Sequence, residues 1–125
     1  MPKPKLNRPT DAELAILRAL WKLGPSSVRE VHEEMGQQSG YTTVLKFMQI
    51  MTEKGLLIRS GSARGHVYQP KDAPEKTQGH LVRDLLDRAF GGSAKTLVMQ
   101  ALSTTKASPE DLAKIQKLIE EMEKK

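Results

Sequence analysis

No cysteine occurs among the 125 residues. Disulfides, thiolate metal sites and cysteine nucleophiles are thereby excluded. Aromatic side chains are scarce, at 4% of the chain against 38% apolar residues in all. The core must be built from Leu, Ile, Val and Met, which suits small helical units better than one large core. No window approaches the roughly 18 consecutive apolar residues of a membrane-spanning helix. The first residues, MPKPKLNRPT, combine charge and proline without an apolar run, unlike a secretory leader. A soluble, cytoplasmic chain with no membrane contact is the expectation.

Catalytic signatures are missing as well. There is no Gly-x-Ser-x-Gly elbow and no glycine-rich loop of the nucleotide-binding kinds. His32, His66 and His80 fall in different segments without His-x-x-x-His spacing, so a zinc site would need distant convergence. His32 reads as a packed, hydrogen-bonded histidine. The Glu33-Glu34 and Glu120-Glu121 pairs read as solvating charge. No catalytic residue, metal ligand or cofactor is assigned, and an enzyme has no residues to rest on.

What the chain does carry is positive charge in its first half. The net charge is +5. Up to Asp72 there are eleven Lys and Arg against seven Asp and Glu, and afterwards nine against eight. An excess concentrated in one half is the footprint of a polyanion partner, although a mild excess also serves solubility. Residues 1–9 read as a flexible basic arm, either following a DNA backbone or simply unstructured. Lys3, Lys5 and Arg8 supply its charge, and Pro2, Pro4 and Pro9 oppose helix.

Thr10 and Glu13 have the spacing of a capping box. Leu14, Leu17, Leu20 and Trp21 follow on a helical stripe with Ile16 beside it, ending near Gly24-Pro25. Ser27 and Glu30 repeat the capping pattern. Val28, Val31, His32 and Met35 then mark a second helix that stops at Gly36. A third helix is expected over 41–54, with Val44, Phe47, Met48 and Met51 inward and Gly55 as its left-handed cap. Leu56–Ser60 reads as a strand, Gly61–Gly65 as a turn and His66–Gln69 as the return strand. Pro70 and Pro74 mark a linker.

Helix, strand, basic turn and strand are the order of a recognition helix and its wing. An α-helix fits the major groove, and the second helix of a helix-turn-helix offers its N-terminal residues to base edges. Those residues are Tyr41, Thr42 and Thr43, with Lys46 one turn on and Gln49 beyond. Thr can touch a thymine methyl, Lys guanine or phosphate, and Gln adenine. On that helix alone, Thr42 and Thr43 could equally cap or line a solvent face. The basic hairpin decides for DNA. No acid lies between Lys54 and Asp72, and Arg59, Ser62 and Arg64 are placed to reach phosphate or minor groove. Such contacts give affinity and salt dependence rather than sequence choice.

The remainder changes character. Leu81, Val82, Leu85, Leu86, Ala89 and Phe90 stripe one helix, stopped at Gly91-Gly92. Ala94, Leu97, Val98, Ala101 and Leu102 stripe another. Ser108, Pro109, Glu110 and Asp111 start a third, striped by Leu112, Ile115, Ile119 and Met122. Three helices with such broad apolar faces cannot bury them in one isolated chain. A second copy could cover them, and so could packing back onto the N-terminal unit. The candidate dimer interface is Leu81, Leu85, Leu86, Phe90, Leu97, Val98, Ala101, Leu112, Ile115 and Ile119.

The segments LNRPTDAELAILRALWKLGPSSVREVHEEM, YTTVLKFMQIMTEKGLL and RGHVYQP resemble the penicillinase-repressor family (the BlaI/MecI/CopY type) over nearly the whole chain. The fold implied is mainly α with a small β-hairpin wing. A winged helix-turn-helix DNA-binding domain occupies 10–72 and a three-helix dimerisation domain 73–125. The resemblance further implies a homodimer that represses by occupying a palindromic operator, freed when a sensor protease triggers cleavage in the C-terminal region. The chain departs from the pattern in three ways. Ile50 stands where the family often has Arg. Gln100-Ala101 stands where antibiotic-responsive members have a cleaved Asn-Phe bond. The cysteine cluster of copper-responsive members is absent. A winged helix used for protein contact is the alternative.

Overall fold

A computed structural model describes residues 9–36, 38–62 and 65–125, the side chain of Ser62 excepted. Apart from Pro9, the arm expected over 1–9 lies outside the described residues. The element order is α1 (Asp11–Leu23), α2 (Val28–Glu34), α3 (Tyr41–Lys54), β1 (Leu57–Ser62), β2 (Gly65–Pro70), α4 (Pro74–Ala89), α5 (Ala94–Thr104) and α6 (Pro109–Glu123). Two compact units divide inside α4, the first ending at Leu81 and the second being Val82–Lys125.

Local chemistry sets the helix starts. The Thr10 hydroxyl accepts from the Glu13 N–H at 3.2 Å while Glu13 Oε1 accepts from the Thr10 N–H at 3.0 Å. Ser27 and Glu30 exchange the same pair of bonds at the head of α2. Two orphan amides are satisfied at each start, and losing such a cap costs about 1 kcal/mol. α2 ends one to two residues before the expected stop, because Met35 rather than Gly36 is its C-cap.

The core of the first unit joins three helices to the hairpin. Ile16, Leu17, Ala19 and Leu20 of α1 meet Val28 and Val31 of α2 and Val44, Met48 and Met51 of α3, closed by Leu57 and Tyr68. Burying each of the larger of these side chains contributes about 1.5–3 kcal/mol. The expected inward face of α3 is the observed one, with Phe47 half-buried at its edge.

The hairpin is longer than expected. Its register runs from Leu57↔Pro70 to Ser62↔Gly65, so Gly61, Ser62 and Gly65 are strand rather than turn. Their polar composition suggested a turn, but ladder pairing asks only for backbone. Ser26 adds a one-residue bridge on the other edge of β2, its N–H donating to the Tyr68 carbonyl at 3.0 Å and its carbonyl accepting from the Tyr68 N–H at 2.8 Å. Among the described side chains of the two strands, only Leu57 and Tyr68 are buried. From Arg59 toward the tip the described side chains are exposed, and the hairpin projects from the unit as a wing.

Gly61 has φ 120°, and a Cβ built there would overlap the Gly65 carbonyl oxygen of the paired strand. Gly61→Ala is therefore expected to distort the wing and cost about 1 kcal/mol or more. Amide exchange should accelerate across β1 and β2 while the helices keep their protection. Unchanged exchange in the hairpin would contradict this.

In the second unit, Ser108 caps α6 by accepting from the Asp111 N–H at 3.0 Å, with Pro109 at the first position. Ser93 caps α5. No apolar side chain of this unit is buried. No helix of the described residues is long and apolar enough to cross a membrane.

Candidate nucleic-acid interface

α3 presents two contrasting faces. Val44, Met48 and Met51 are buried, while Tyr41, Thr42, Thr43, Lys46, Gln49, Ile50 and Glu53 are exposed. Packing through one stripe leaves the opposite stripe to water, because positions three and four apart share a side of the helix. The proposed base-reading residues Thr42, Thr43, Lys46 and Gln49 thus come together on one surface about 14 residues long.

The electrostatics of that surface favour an anion at its N-terminal end. The first turn of α3 carries no acid, and Gly40, its N-cap, supplies no side-chain hydrogen bond. The leading amides and the positive end of the helix dipole are left to an external acceptor. Lys46 adds a full charge one turn on. Glu53 opposes this only at the far end.

Arg59 is exposed on β1 opposite Tyr68. It sits mid-strand rather than beside the turn, because the strands extend to Ser62 and Gly65. Ser62 ends β1, and nothing is described of its side chain. Arg64 lies outside the described residues. The ten candidate interface residues of the C-terminal stripes are all exposed or half-buried, Leu81 in the first unit and the others in the second.

Three contacts fix α3 in place. At its C-terminus, Lys54 Nζ donates to both carboxylate oxygens of Glu13 at 2.9 Å. The same carboxylate closes the capping box of α1, so one side chain ties the two helices together. Burial raises the Glu13 pKa, but the Thr10 N–H and the Lys54 ammonium outweigh it and hold the carboxyl below its ordinary value of 4.5. Gly55 then caps α3 with φ 87° and ψ 14°, a left-handed conformation. At the N-terminus, the His32 ring donates from Nε2 to the Ser39 carbonyl at 2.8 Å, and its edge meets the Tyr41 ring with centroids 6.0 Å apart.

These ties were not read from sequence. Glu13 and Lys54 stand 41 residues apart, and nothing local pairs them. Glu34, expected as solvating charge, instead bonds Lys22 at 2.8 Å. The hint available was positional, since a basic residue closing one helix suits an acid opening another. Among the described residues, no group of three or more His, Asp or Glu side chains could hold a metal ion.

The family model for the penicillinase repressor matches residues 9–121. The transcriptional regulator BlaI of Mycobacterium tuberculosis is 33% identical over 88 residues, 68% of this chain and 64% of its own length. The chain thus spans just under two thirds of that relative. The penicillinase repressor of Bacillus licheniformis is 24% identical over 119 residues, 94% of this chain and 93% of its own. Among solved structures, Bordetella bronchiseptica BpsR aligns over 95% of this chain and 78% of its own, with 18% identity and a TM-score of 0.48.

Proposed function

The chain belongs to the penicillinase repressor family, and on that premise we propose that it is a DNA-binding transcriptional repressor that acts in the cytoplasm as a homodimer on a palindromic operator. The exposed face of α3 carries the reading. It combines hydroxyl, amide and ammonium groups beside an uncapped, acid-free helix start, and an exposed hairpin bearing Arg59 follows it. A partner rich in acceptors and negative charge satisfies all of these, and no catalytic constellation competes. The residues assigned to DNA are Tyr41, Thr42, Thr43, Lys46, Gln49, Arg59, Ser62 and Arg64. Relief of repression is assigned to the C-terminal unit, through a signal acting there or a sensor protease. Gln100 and Ala101 lie within α5, so cleavage between them would require that helix to unwind locally.

A gel shift with DNA from upstream of the protein's own gene tests the reading, and no sequence-selective shift at moderate salt would sink it. Lys46→Ala is expected to weaken operator binding about tenfold, in the range of one good base or phosphate contact. Arg59→Ala should weaken all sequences alike and flatten the slope of log affinity against log salt by about 1. Both side chains are exposed, so melting temperatures should hold. Undiminished affinity in both variants would favour a winged helix used for protein contact.

A further inference from the structure

Away from the recognition face, the first unit contains an open groove of about 500 Å³ lined by Leu14, Arg18, Trp21 and Lys22 of α1 and by Gln78 and Leu81 of α4. Helical spacing explains the lining. Positions 14, 18, 21 and 22 share one face of α1, and 78 and 81 lie one turn apart on α4. The volume falls within the range of about 300–1,000 Å³ common to small-molecule sites. Half-buried Leu14, Trp21 and Leu81 give it an apolar wall.

The polar groups around this wall are mostly donors. The Trp21 Nε1 is buried without a hydrogen-bond partner among the described residues. An indole N–H can only donate, and a buried donor without an acceptor is costly. Lys22 is engaged by Glu34 at 2.8 Å. Arg18 has no ion-pair partner among the described residues. Its guanidinium presents a planar fork of donors that matches a carboxylate bidentately.

We propose that this site binds a small aromatic carboxylate, with the carboxylate on Arg18 and the ring against Trp21 and Leu81. Apolar walls alone would accept any greasy surface. The Arg18 guanidinium, without an ion-pair partner among the described residues, beside an apolar wall of Leu14, Trp21 and Leu81 selects an anion with a flat apolar body. α1 also carries Glu13, which holds Lys54 of α3, so a ligand seated here touches the helix that anchors the recognition helix. The inference does not rest on the DNA-binding reading, and its test uses no DNA.

Trp21 is the only tryptophan, so the intrinsic fluorescence of the full chain reports on this site directly. Benzoate is the probe and benzamide its uncharged counterpart. Benzoate is expected to change Trp21 emission saturably, with a Kd of about 1 mM or tighter. Benzamide should bind at least about tenfold more weakly, and Arg18→Gln should lose benzoate to the same extent. Lys22→Gln, whose charge is already paired, should bind benzoate nearly as the unaltered chain does. Equal responses to benzoate and benzamide, or an Arg18→Gln variant that binds benzoate normally, would overturn the proposal. So would emission that tracks protein concentration and ignores benzoate, since a second copy would then cover the site. Arg18 is exposed, so its replacement should leave the melting curve unchanged, which separates lost binding from lost fold.

Discussion

Leu85→Asp is expected to leave the protein monomeric at micromolar concentration and to lower operator affinity by about 100-fold or more, the range that joining two binding modules supplies. The physical basis is the second unit's lack of a core. Leu85 is 44% exposed, Leu112 47% and Met122 66%. Two helices of 16 and 15 residues, α4 and α6, carry these side chains, and helices of that length are marginal without a packed face. A second copy related by a two-fold axis would cover like with like, as self-complementary apolar patches allow. An aspartate placed in that cover loses its hydration without a partner, which is the costliest kind of polar burial.

Two measurements separate assembly from folding in that variant. Sedimentation reads self-association directly, and wild-type protein that is already monomeric at micromolar concentration would refute the homodimer. Helicity of the first unit should persist in the variant, because its core from Ile16 to Tyr68 includes no residue of the second. A gel shift should then show residual binding in which the salt slope is roughly halved, since one wing and one recognition helix remain. Full operator affinity in a demonstrated monomer would remove the need for pairing.

Most of the helical framework was legible because its signals are local. Thr10 with Glu13, Ser27 with Glu30, Ser108 with Pro109, and Gly55 after Lys54 each announce a helix end within three or four residues. The buried stripe of α3 followed from periodicity alone. The limits of the wing did not. Gly61 and Ser62 have turn-like composition, yet they pair with His66 and Gly65, a choice made by the partner strand. The Ser26 bridge to Tyr68 lies across 42 positions and leaves no periodic trace. For the candidate site, the exposed side of α3 was readable as the complement of the apolar stripe. What holds that helix, Glu13 under Lys54 and His32 under Ser39, depends on how helices cross, and sequence spacing does not encode crossing. The absence of any buried apolar residue in the second unit was also foreshadowed by the breadth of its stripes.

The Glu13–Lys54 pair leads to the second large effect, and it is asymmetric. The Glu13 side chain is 3% exposed and that of Lys54 32%. Lys54→Met strands a buried carboxylate, whereas Glu13→Gln leaves an ammonium that can turn to water and an amide that still closes the capping box. Removing one partner of a fully buried pair costs about 3–5 kcal/mol. With Lys54 one-third exposed, the lower end, about 3 kcal/mol, is expected for Lys54→Met at pH 7. About 1 kcal/mol is expected for Glu13→Gln. Urea unfolding measures both. A Glu13→Gln variant less stable than Lys54→Met would show that the pair is held by the cap rather than by charge. The pH dependence has a definite sign. In the wild type the Glu13 carboxyl lies below its ordinary value of 4.5, so its contribution is present above that value and lost as pH falls through the folded-state pKa. In Lys54→Met the ammonium that lowered the pKa is gone, and Glu13 protonates more readily. The gap between Lys54→Met and wild type should therefore narrow on acidification below about pH 4.5, because a protonated Glu13 is no longer a stranded charge. Lys54 is the last residue of α3, so the variant also bears on DNA. An α3 released at that end should lose operator affinity at pH 7 even where Tyr41, Thr42, Thr43 and Lys46 are untouched. The Glu13→Gln, Lys54→Met double variant, which strands no charge, should recover part of both the stability and the affinity.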